Sequence, residues 1–211
     1  MVEIKTFVFN DFGVNAYIVY DETSEAVIID GAVNSDSEMS LLRQFVTSKG
    51  LQVKYIVNTH GHPDHICGND RLKAEYNVDA LANFGDNELV CNVVQEARMF
   101  GFRMHEQNLP DKNIAEGDII KFGNSSLKVL EVPGHSQGSV ALYCEDGNFV
   151  VCGDALFCGG IGRTDLPGGS YAQLIDSISK KLFVLPADCR ALPGHGPSTT
   201  IGYEIDNNPF F

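Results

Sequence analysis

The chain contains no tryptophan and little positive charge, with 15 lysine and arginine residues against 28 aspartate and glutamate residues in a total of 211. The formal net charge of −13 repels phosphate backbones and anionic lipid surfaces alike. No apolar run reaches the roughly 18 residues of a membrane span, and the N-terminus lacks the pattern of a secretory signal. We therefore expect neither nucleic acid nor a membrane as partner, and a cytoplasmic location if this chain is the full product.

The chain also lacks the cysteine pairs of many metal sites and the strand-to-helix elbow of a nucleophilic serine. The six cysteines form no C-x-x-C pair, so we expect reduced and mostly buried thiols rather than disulfides or a cysteine-rich zinc site. The one match to the G-x-S-x-G pattern of a nucleophilic serine, GHSQG at 134–138, is followed by the strand pattern SVALYCE and not by the helix that such a nucleophile elbow requires. Catalysis by a serine nucleophile is therefore disfavoured.

Short apolar runs rich in β-branched residues recur along the chain and predict strands, namely IKTFVF, NAYIVY, EAVIID, VKYIVNTH, SLKVLEVPGH, SVALYCE, NFVVCGDALF and CRALPGH. Helical patterns lie between them, including SDSEMSLLRQFVTSKG, which Asn34 or Ser35 can cap and Gly50 can end. GNDRLKAEYN, GDNELVCNVVQEARMFG and GGSYAQLIDSISKKLFVL are further helical patterns. Without a linker-like segment, this order predicts one layered α/β domain over residues 1–211.

The stretch NTHGHPDHICGN places three of the six histidines and one aspartate within six positions. An apolar strand pattern leads into it, and an extended backbone puts His60 and His62 on the same side of the chain. Pro63 fixes the backbone where the chain turns, so Asp64 and His65 can point into the same space. The stretch predicts four metal-ligating side chains from one turn.

Three later strand patterns end in further candidate ligands, which are His135, Asp154 and His195. We expect these strand ends to meet the first motif at one edge of a sheet. Five histidines and two carboxylates together favour zinc, iron or manganese, whereas cysteine-rich sets favour structural zinc. Seven ligands are too many for one ion, but they match two ions that share a carboxylate at a separation of roughly 3.5 to 4 Å.

The ordered set THGHPDH, PGHSQGS, CGDALF and LPGHG resembles the metallo-β-lactamase superfamily across essentially the whole chain. The resemblance implies a four-layer αββα sandwich, with two mixed β-sheets face to face and helices on both outer faces. It also implies that the first metal is held by His60, His62 and His135, the second by Asp64, His65 and His195, and that Asp154 bridges them. Asp30, in VIIDGA, matches an aspartate at the end of an early strand and would orient a ligand through a hydrogen bond.

The chemistry expected of this centre is hydrolysis. Two cations held by neutral imidazoles and two carboxylates keep a net positive charge, which lowers the pKa of a bound water toward roughly 7. A metal-bridging hydroxide would attack a carbonyl, with Asp64 and Asp154 as the catalytic carboxylates, and the metals would stabilise the oxyanion. The cofactors expected are two divalent ions, zinc first, with iron or manganese as alternatives.

The glycine-rich segment CGGIGRTDLPGGS lacks the G-K-[ST] ending of a phosphate-binding loop. Its GRTD part resembles the loop of glyoxalase-II-like and persulfide-dioxygenase-like members of the superfamily. We expect Arg163 and Asp165 to form an ion pair that holds this loop beside the metals, with a substrate contact by Arg163 as the alternative. His105 is expected at a helix end or on the surface, and Cys67 in the core.

Several functions of the superfamily are disfavoured. Its β-lactamases generally lack an aspartate at the position of Asp154, its nucleases carry extra substrate-gripping segments and suit a less acidic chain, and flavo-diiron members differ in the first motif. Two functions remain: hydrolysis of a small acyl thioester such as S-lactoylglutathione, and an iron-dependent persulfide dioxygenase with one iron at His60, His135 and Asp154. A metal-binding protein without catalysis is a third, weaker alternative.

The complete second set of ligands favours the hydrolase. The residues after His195, GPSTTIGYEIDNNPFF, lack the basic and aromatic segment with which glyoxalase II grips glutathione. The chain thus resembles the short bacterial subgroup that is similar to glyoxalase II, and the sequence leaves its true thioester and its oligomeric state open.

Overall fold

The computed structural model describes residues 1–211 and contains fourteen β-strands and seven α-helices. The strands are β1 (Glu3–Phe9), β2 (Val14–Tyr20), β3 (Glu25–Ile29), β4 (Gln52–Val57), β5 (Asp79–Ala82), β6 (Lys112–Asn113), β7 (Ile119–Phe122), β8 (Ser125–Glu131), β9 (Val140–Cys144), β10 (Phe149–Gly153), β11 (Leu156–Phe157), β12 (Gly160–Ile161), β13 (Arg190–Pro193) and β14 (Thr199–Thr200). The helices are α1 (Asp36–Lys49), α2 (Pro63–Ile66), α3 (Asn69–Tyr76), α4 (Asn87–Cys91), α5 (Val93–Met99), α6 (Tyr171–Ser177) and α7 (Ile201–Asn207). A 3₁₀ turn at Phe84–Asp86 precedes α4, and a π-helical turn at Ile178–Leu182 continues α6.

Twelve of the strands form two six-stranded sheets. The first has the order β1-β2-β3-β4-β5-β6, antiparallel up to β3 and parallel beyond it. The second has the order β14-β13-β10-β9-β8-β7, in which β10 and β13 are parallel and the other neighbours antiparallel. Both sheets are therefore mixed, and β11 and β12 form a separate short hairpin.

The core lies between the two sheets, where 17 buried residues from both form one cluster. The outer face of the first sheet packs against Met39, Leu42 and Val46 of α1, and the outer face of the second packs against α6 and α7. Every residue of β2 is buried because both faces of its sheet are covered. The predicted four-layer αββα arrangement is confirmed.

The first helix begins and ends as its sequence predicts. The Ser35 side chain accepts a hydrogen bond from the backbone N–H of Glu38, whose carboxylate bonds back to the N–H of Ser35, so the two form a capping box. Gly50 ends the helix in a left-handed conformation with φ 63°. No helix of this fold has the length and hydrophobicity that crossing a bilayer requires.

Several local predictions differ from the structure: one predicted helix is divided, and the strands β5, β6, β7, β12 and β14 were not predicted. The pattern GDNELVCNVVQEARMFG forms two short helices, α4 and α5, because the side-chain amide of Asn92 bonds back to the carbonyl of Glu88 and the backbone turns there. The strand β5 has no β-branched residue and was not predicted. Parallel pairing with β4 and burial of its last three residues hold it in the sheet despite its low strand propensity.

Candidate metal centre

The structure brings all seven candidate ligands together at one edge of the two sheets. His60 and His62 follow β4, and the turn of α2 presents Asp64 and His65. The other three follow the ends of β8, β10 and β13, and they are His135, Asp154 and His195. The sheets therefore deliver side chains from four strand ends to one place.

The first group of side chains is a buried triad of imidazoles. One ring nitrogen from each of His60, His62 and His135 lies within 4.8 Å of the other two. The Nε2 atoms of His60 and His135 are buried and have no hydrogen-bond partner. Buried nitrogens without partners are costly, so their convergence indicates a site for a cation.

The second group contains Asp64, His65 and His195, whose ligating atoms also lie within 4.8 Å of one another. Nε2 of His195 is 3.3 Å from Oδ2 of Asp64 and 3.2 Å from Nε2 of His65. Asp64 and His195 are partly exposed, whereas His65 is fully buried. This group therefore forms the solvent-facing side of the centre.

The carboxylate of Asp154 lies between the two groups. Its Oδ1 is 3.4 Å from Nε2 of His65, and its Oδ2 is 3.5 Å from Nε2 of His195 and 3.7 Å from Nε2 of His135. Oδ1 is buried without a hydrogen-bond partner. One carboxylate can thus reach both groups.

The pKa shifts of His60, His62 and Asp154 also fit divalent cations. Burial and the neighbouring imidazoles hold the pKa of His60 well below its usual range and lower that of His62 to about 3, so both rings are neutral. Burial opposes ionisation of Asp154, but the surrounding histidines outweigh it and lower the pKa of this carboxyl. Metal ligation requires neutral imidazoles and ionised carboxylates. The donor set fits divalent metal ions.

Asp30 connects the end of β3 to this centre. Its Oδ2 lies 3.0 Å from Nδ1 of His65 and accepts a bond from Oγ1 of Thr59 at 2.6 Å, and its Oδ1 accepts the backbone N–H of Thr59 at 2.8 Å. With a backbone φ of 46°, Asp30 adopts a left-handed conformation that is uncommon for residues other than glycine. The carboxylate orients His65 so that its Nε2 faces the second group.

Two more ligands are oriented by backbone carbonyls. Nδ1 of His135 donates to the carbonyl of Arg163 at 2.8 Å, and Nδ1 of His195 donates to the carbonyl of Phe12 at 3.1 Å. Because a carbonyl only accepts, the proton is fixed on Nδ1 and the Nε2 lone pair points into the centre. Residue types carry no signal for these main-chain contacts, so the sequence could not reveal them.

Asp86 is a positioning residue that sequence reasoning missed. Its buried carboxylate accepts the backbone N–H of Gly61 at 2.9 Å, the hydroxyl of Ser136 at 2.6 Å and the backbone N–H of Gly138 at 2.6 Å. It therefore ties the loop of the first motif to the loop that carries His135. The sequence offered only an acidic residue before a helical pattern, which is common at helix starts.

Gly194 allows the close approach of the last loop to the centre. A Cβ there would clash with Oδ1 of Asp154 and lie 2.8 Å from Cε1 of His65. A side chain at this position would displace both residues. Only glycine therefore fits between Pro193 and His195 without disturbing the centre.

The GRTD loop contributes an ion pair at the rim. Nε and Nη2 of Arg163 donate to the two carboxylate oxygens of Asp165 at 2.9 and 2.8 Å, and both side chains are largely exposed. His105 is exposed in an irregular segment, outside the cluster of ligands. All six cysteines are free, and four of them, including Cys67, are buried.

A cavity of about 410 Å³ opens above the centre. His62, Asp64, His135, Asp154 and His195 contribute to its lining. Apolar side chains from the β1–β2 loop, from α2, from α5 and the residues after it, and from the segment 157–166 form the rest of the wall, together with Arg163. The site can therefore hold a small molecule against the candidate ligands.

The model of the metallo-β-lactamase superfamily matches residues 9–195. The chain belongs to the metallo-β-lactamase superfamily. This member is 36% identical to the hydroxyacylglutathione hydrolase GloC of Haemophilus influenzae, over 94% of its own length and 93% of that protein. Membership and the cluster of histidine and aspartate side chains together support a metal-dependent hydrolase.

Solved structures agree with this assignment. The crystal structure of the B3 metallo-β-lactamase BLEG-1 is similar with a TM-score of 0.90 and 30% identity, covering 99% of both chains. The di-iron-bound form of TTHA1623 is similar with a TM-score of 0.87 and 36% identity, covering 98% of this chain and 100% of that one. The superfamily fold therefore extends over nearly the whole chain.

Proposed function

We propose that residues 1–211 act as a single-domain hydrolase that uses two divalent metal ions to cleave a small acyl thioester, with a hydroxyacylglutathione such as S-lactoylglutathione as the leading candidate. The observation that carries this proposal is the position of Asp154, whose two oxygens lie within 3.4 to 3.7 Å of histidines from both groups. A shared carboxylate is the usual device for holding two ions at roughly 3.5 to 4 Å.

In this proposal each group holds one ion. The first ion is held by His60, His62 and His135, the second by Asp64, His65 and His195, and both by Asp154. When bound, the two cations supply Lewis acidity and a water that ionises near neutral pH. Imidazole with carboxylate suits zinc, and iron or manganese also fit. The name of the di-iron-bound relative supports iron as an alternative.

The chain itself keeps the centre ready for ligation. Asp30 and the carbonyls of Phe12 and Arg163 hold three imidazoles with their Nε2 atoms toward the ions. Asp64 and Asp154 stay ionised because nearby histidines lower the pKa of each carboxyl against the effect of burial. These groups need no rearrangement as the reaction proceeds, which is the advantage of a preorganised site.

A thioester suits a site without a separate proton donor. A thiol has a pKa of roughly 8.5, so a thiolate can leave with little help from a general acid. The cavity lining offers no titratable side chain beyond the candidate ligands and Arg163. The name of the GloC relative supports hydroxyacylglutathione as the substrate.

The experiment compares three reactions on one metal-replete preparation, with its metal content measured. The proposal expects hydrolysis of S-lactoylglutathione, loss of most of that activity in Asp154→Asn, and little opening of a cephalosporin. Iron-dependent oxygen consumption with glutathione persulfide, without thioester hydrolysis, would replace the hydrolase by a persulfide dioxygenase. Efficient β-lactam hydrolysis alone would replace the thioester by a β-lactam, as the name of the BLEG-1 relative suggests.

A further inference from the structure

The cavity above the candidate metal centre has an aromatic wall. Four phenylalanines line it, and they are Phe12, Phe100, Phe102 and Phe157. Phe12 and Phe100 are 41% and 43% exposed, so both rings are accessible from the cavity. Such a grouping marks a binding surface more often than a solitary exposed ring does.

The wall is built from separate parts of the chain that meet over the centre. The ring of Phe12, in the β1–β2 loop, packs edge-on against the ring of Phe102, which follows α5, with centroids 5.2 Å apart. Ile161 and Leu166 continue the apolar surface on the side of the GRTD loop. Packing thus holds the rings of Phe12 and Phe102, which lowers the ordering entropy that these two rings lose when a ligand binds.

The charge of the lining argues against recognition of an anion through the wall. Arg163 is its only basic side chain apart from histidines, and both Nε and Nη2 already donate to Asp165. Its guanidinium also lies 5.9 Å from the centre of the Phe100 ring. Every other polar side chain in the lining is a candidate metal ligand. The wall therefore offers a substrate apolar contact and little else.

We infer that the substrate carries an apolar group, aliphatic or aromatic, directly beside the scissile thioester, and that Phe100, Phe102 and Leu166 select for it. This inference rests on the proposed thioesterase function, but it favours a more apolar thioester over S-lactoylglutathione as the substrate. The cavity volume of about 410 Å³ lies within the roughly 300–1,000 Å³ of small-molecule sites. It accommodates a thioester together with a chain of several carbons.

The expected preference follows from burial of the added carbons. Each methylene taken from water into an apolar wall contributes about 0.8 kcal/mol, which is about a fourfold gain in kcat/KM. The gain should continue along a homologous series until the cavity is full and then stop. The kcat/KM for a thioester with a polar lactoyl group should be lower than that for an acyl group of similar size without the hydroxyl.

The test uses two series on the metal-replete enzyme. In one, glutathione carries acetyl, butanoyl, hexanoyl or lactoyl groups; in the other, acetyl is carried by alkyl thiols of increasing length. A rise of about fourfold per methylene in the first series assigns the apolar group to the acyl side, and a rise in the second assigns it to the thiol side. Flat kcat/KM values in both series would overturn the inference.

A matched pair of variants locates the effect. The ratio of hexanoyl to acetyl kcat/KM should fall about tenfold in Phe100→Ala, because the ring forms part of the wall, and stay unchanged in Phe210→Ala. Phe210 is 44% exposed, close to the 43% of Phe100, but lies outside the cavity. Leu166→Ala is a second variant in the wall. Unchanged ratios in both wall variants would contradict the assignment.

A binding measurement separates this inference from the proposed function. Calorimetry with S-methyl and S-hexyl glutathione, which cannot be hydrolysed, reports on the wall in metal-free and metal-loaded protein. Tighter binding of the S-hexyl compound without hydrolysis of any thioester would support the apolar wall and overturn the thioesterase. Hydrolysis without a chain-length effect on binding or turnover would support the thioesterase and overturn the inference.

Discussion

Removing the carboxylate of Asp86 should loosen the centre although Asp86 is not one of the candidate ligands. In Asp86→Ala the backbone N–H groups of Gly61 and Gly138 lose their acceptor, whereas the Ser136 hydroxyl can turn to Ser139, whose Oγ lies 2.7 Å away. A buried donor left without a partner costs about 1–3 kcal/mol, so two cost about 2–6 kcal/mol. We expect the lower half of this range, since water can enter the space vacated by the side chain.

Urea unfolding of the metal-free protein, followed by circular dichroism, measures the decrease in the free energy of unfolding. The amount of metal retained after dialysis reports on the positioning of the ligands. Asp176→Ala is the control, because it removes an exposed ion pair with Lys180 that contributes no more than about 0.5 kcal/mol. The stability and metal retention of Asp86→Asn should lie between those of the wild type and those of Asp86→Ala. A loss below about 1 kcal/mol in Asp86→Ala, with metal fully retained, would refute the positioning role.

Three further predictions concern the ligands. Asp154→Asn should lower both metal retention and turnover by at least tenfold, while His105→Ala changes neither; equal effects in the two variants would contradict the assignment. Burial lowers the pKa of His65, but the carboxylates around it outweigh that effect and raise the pKa well above the usual value, so a metal ion must displace a proton there. We therefore expect the second group to lose its metal before the first as the pH falls from 8 to 6, because burial keeps His60 in the first group neutral. Calorimetric titration with metal over this pH range measures the loss. Simultaneous loss of metal from both groups would contradict this prediction. Gly194→Ala should reduce metal content and thermal stability together, since the added methyl clashes with Asp154, and wild-type values for both would refute the steric argument.

The candidate ligands could be predicted because their residue types are uncommon and each follows a recognisable strand pattern. His135 and His195 are far apart in the sequence, but they follow β8 and β13, which run in the same direction in one sheet and therefore end at the same edge. The helix α1 was equally predictable, since Ser35 and Gly50 carry local signals for its two ends.

Other features depend on tertiary contacts that leave no local signal. The carbonyls of Phe12 and Arg163 orient two histidines, yet a main-chain group has no residue type to recognise. Asp86 is buried by loops from distant parts of the chain, and β5 becomes a strand through its neighbours. The apolar wall could not be predicted from the sequence either, because Phe12, Phe100 and Phe157 belong to separate segments that meet only in the folded structure.

The most direct test of the two-metal centre is a crystal structure of metal-replete protein with anomalous data collected at the absorption edge of the bound metal. We predict two anomalous peaks roughly 3.5 to 4 Å apart, with one oxygen of Asp154 on each ion and the two groups of histidines on opposite sides. A single peak held by His60, His135 and Asp154 at saturating metal, with His195 turned away, would contradict the account.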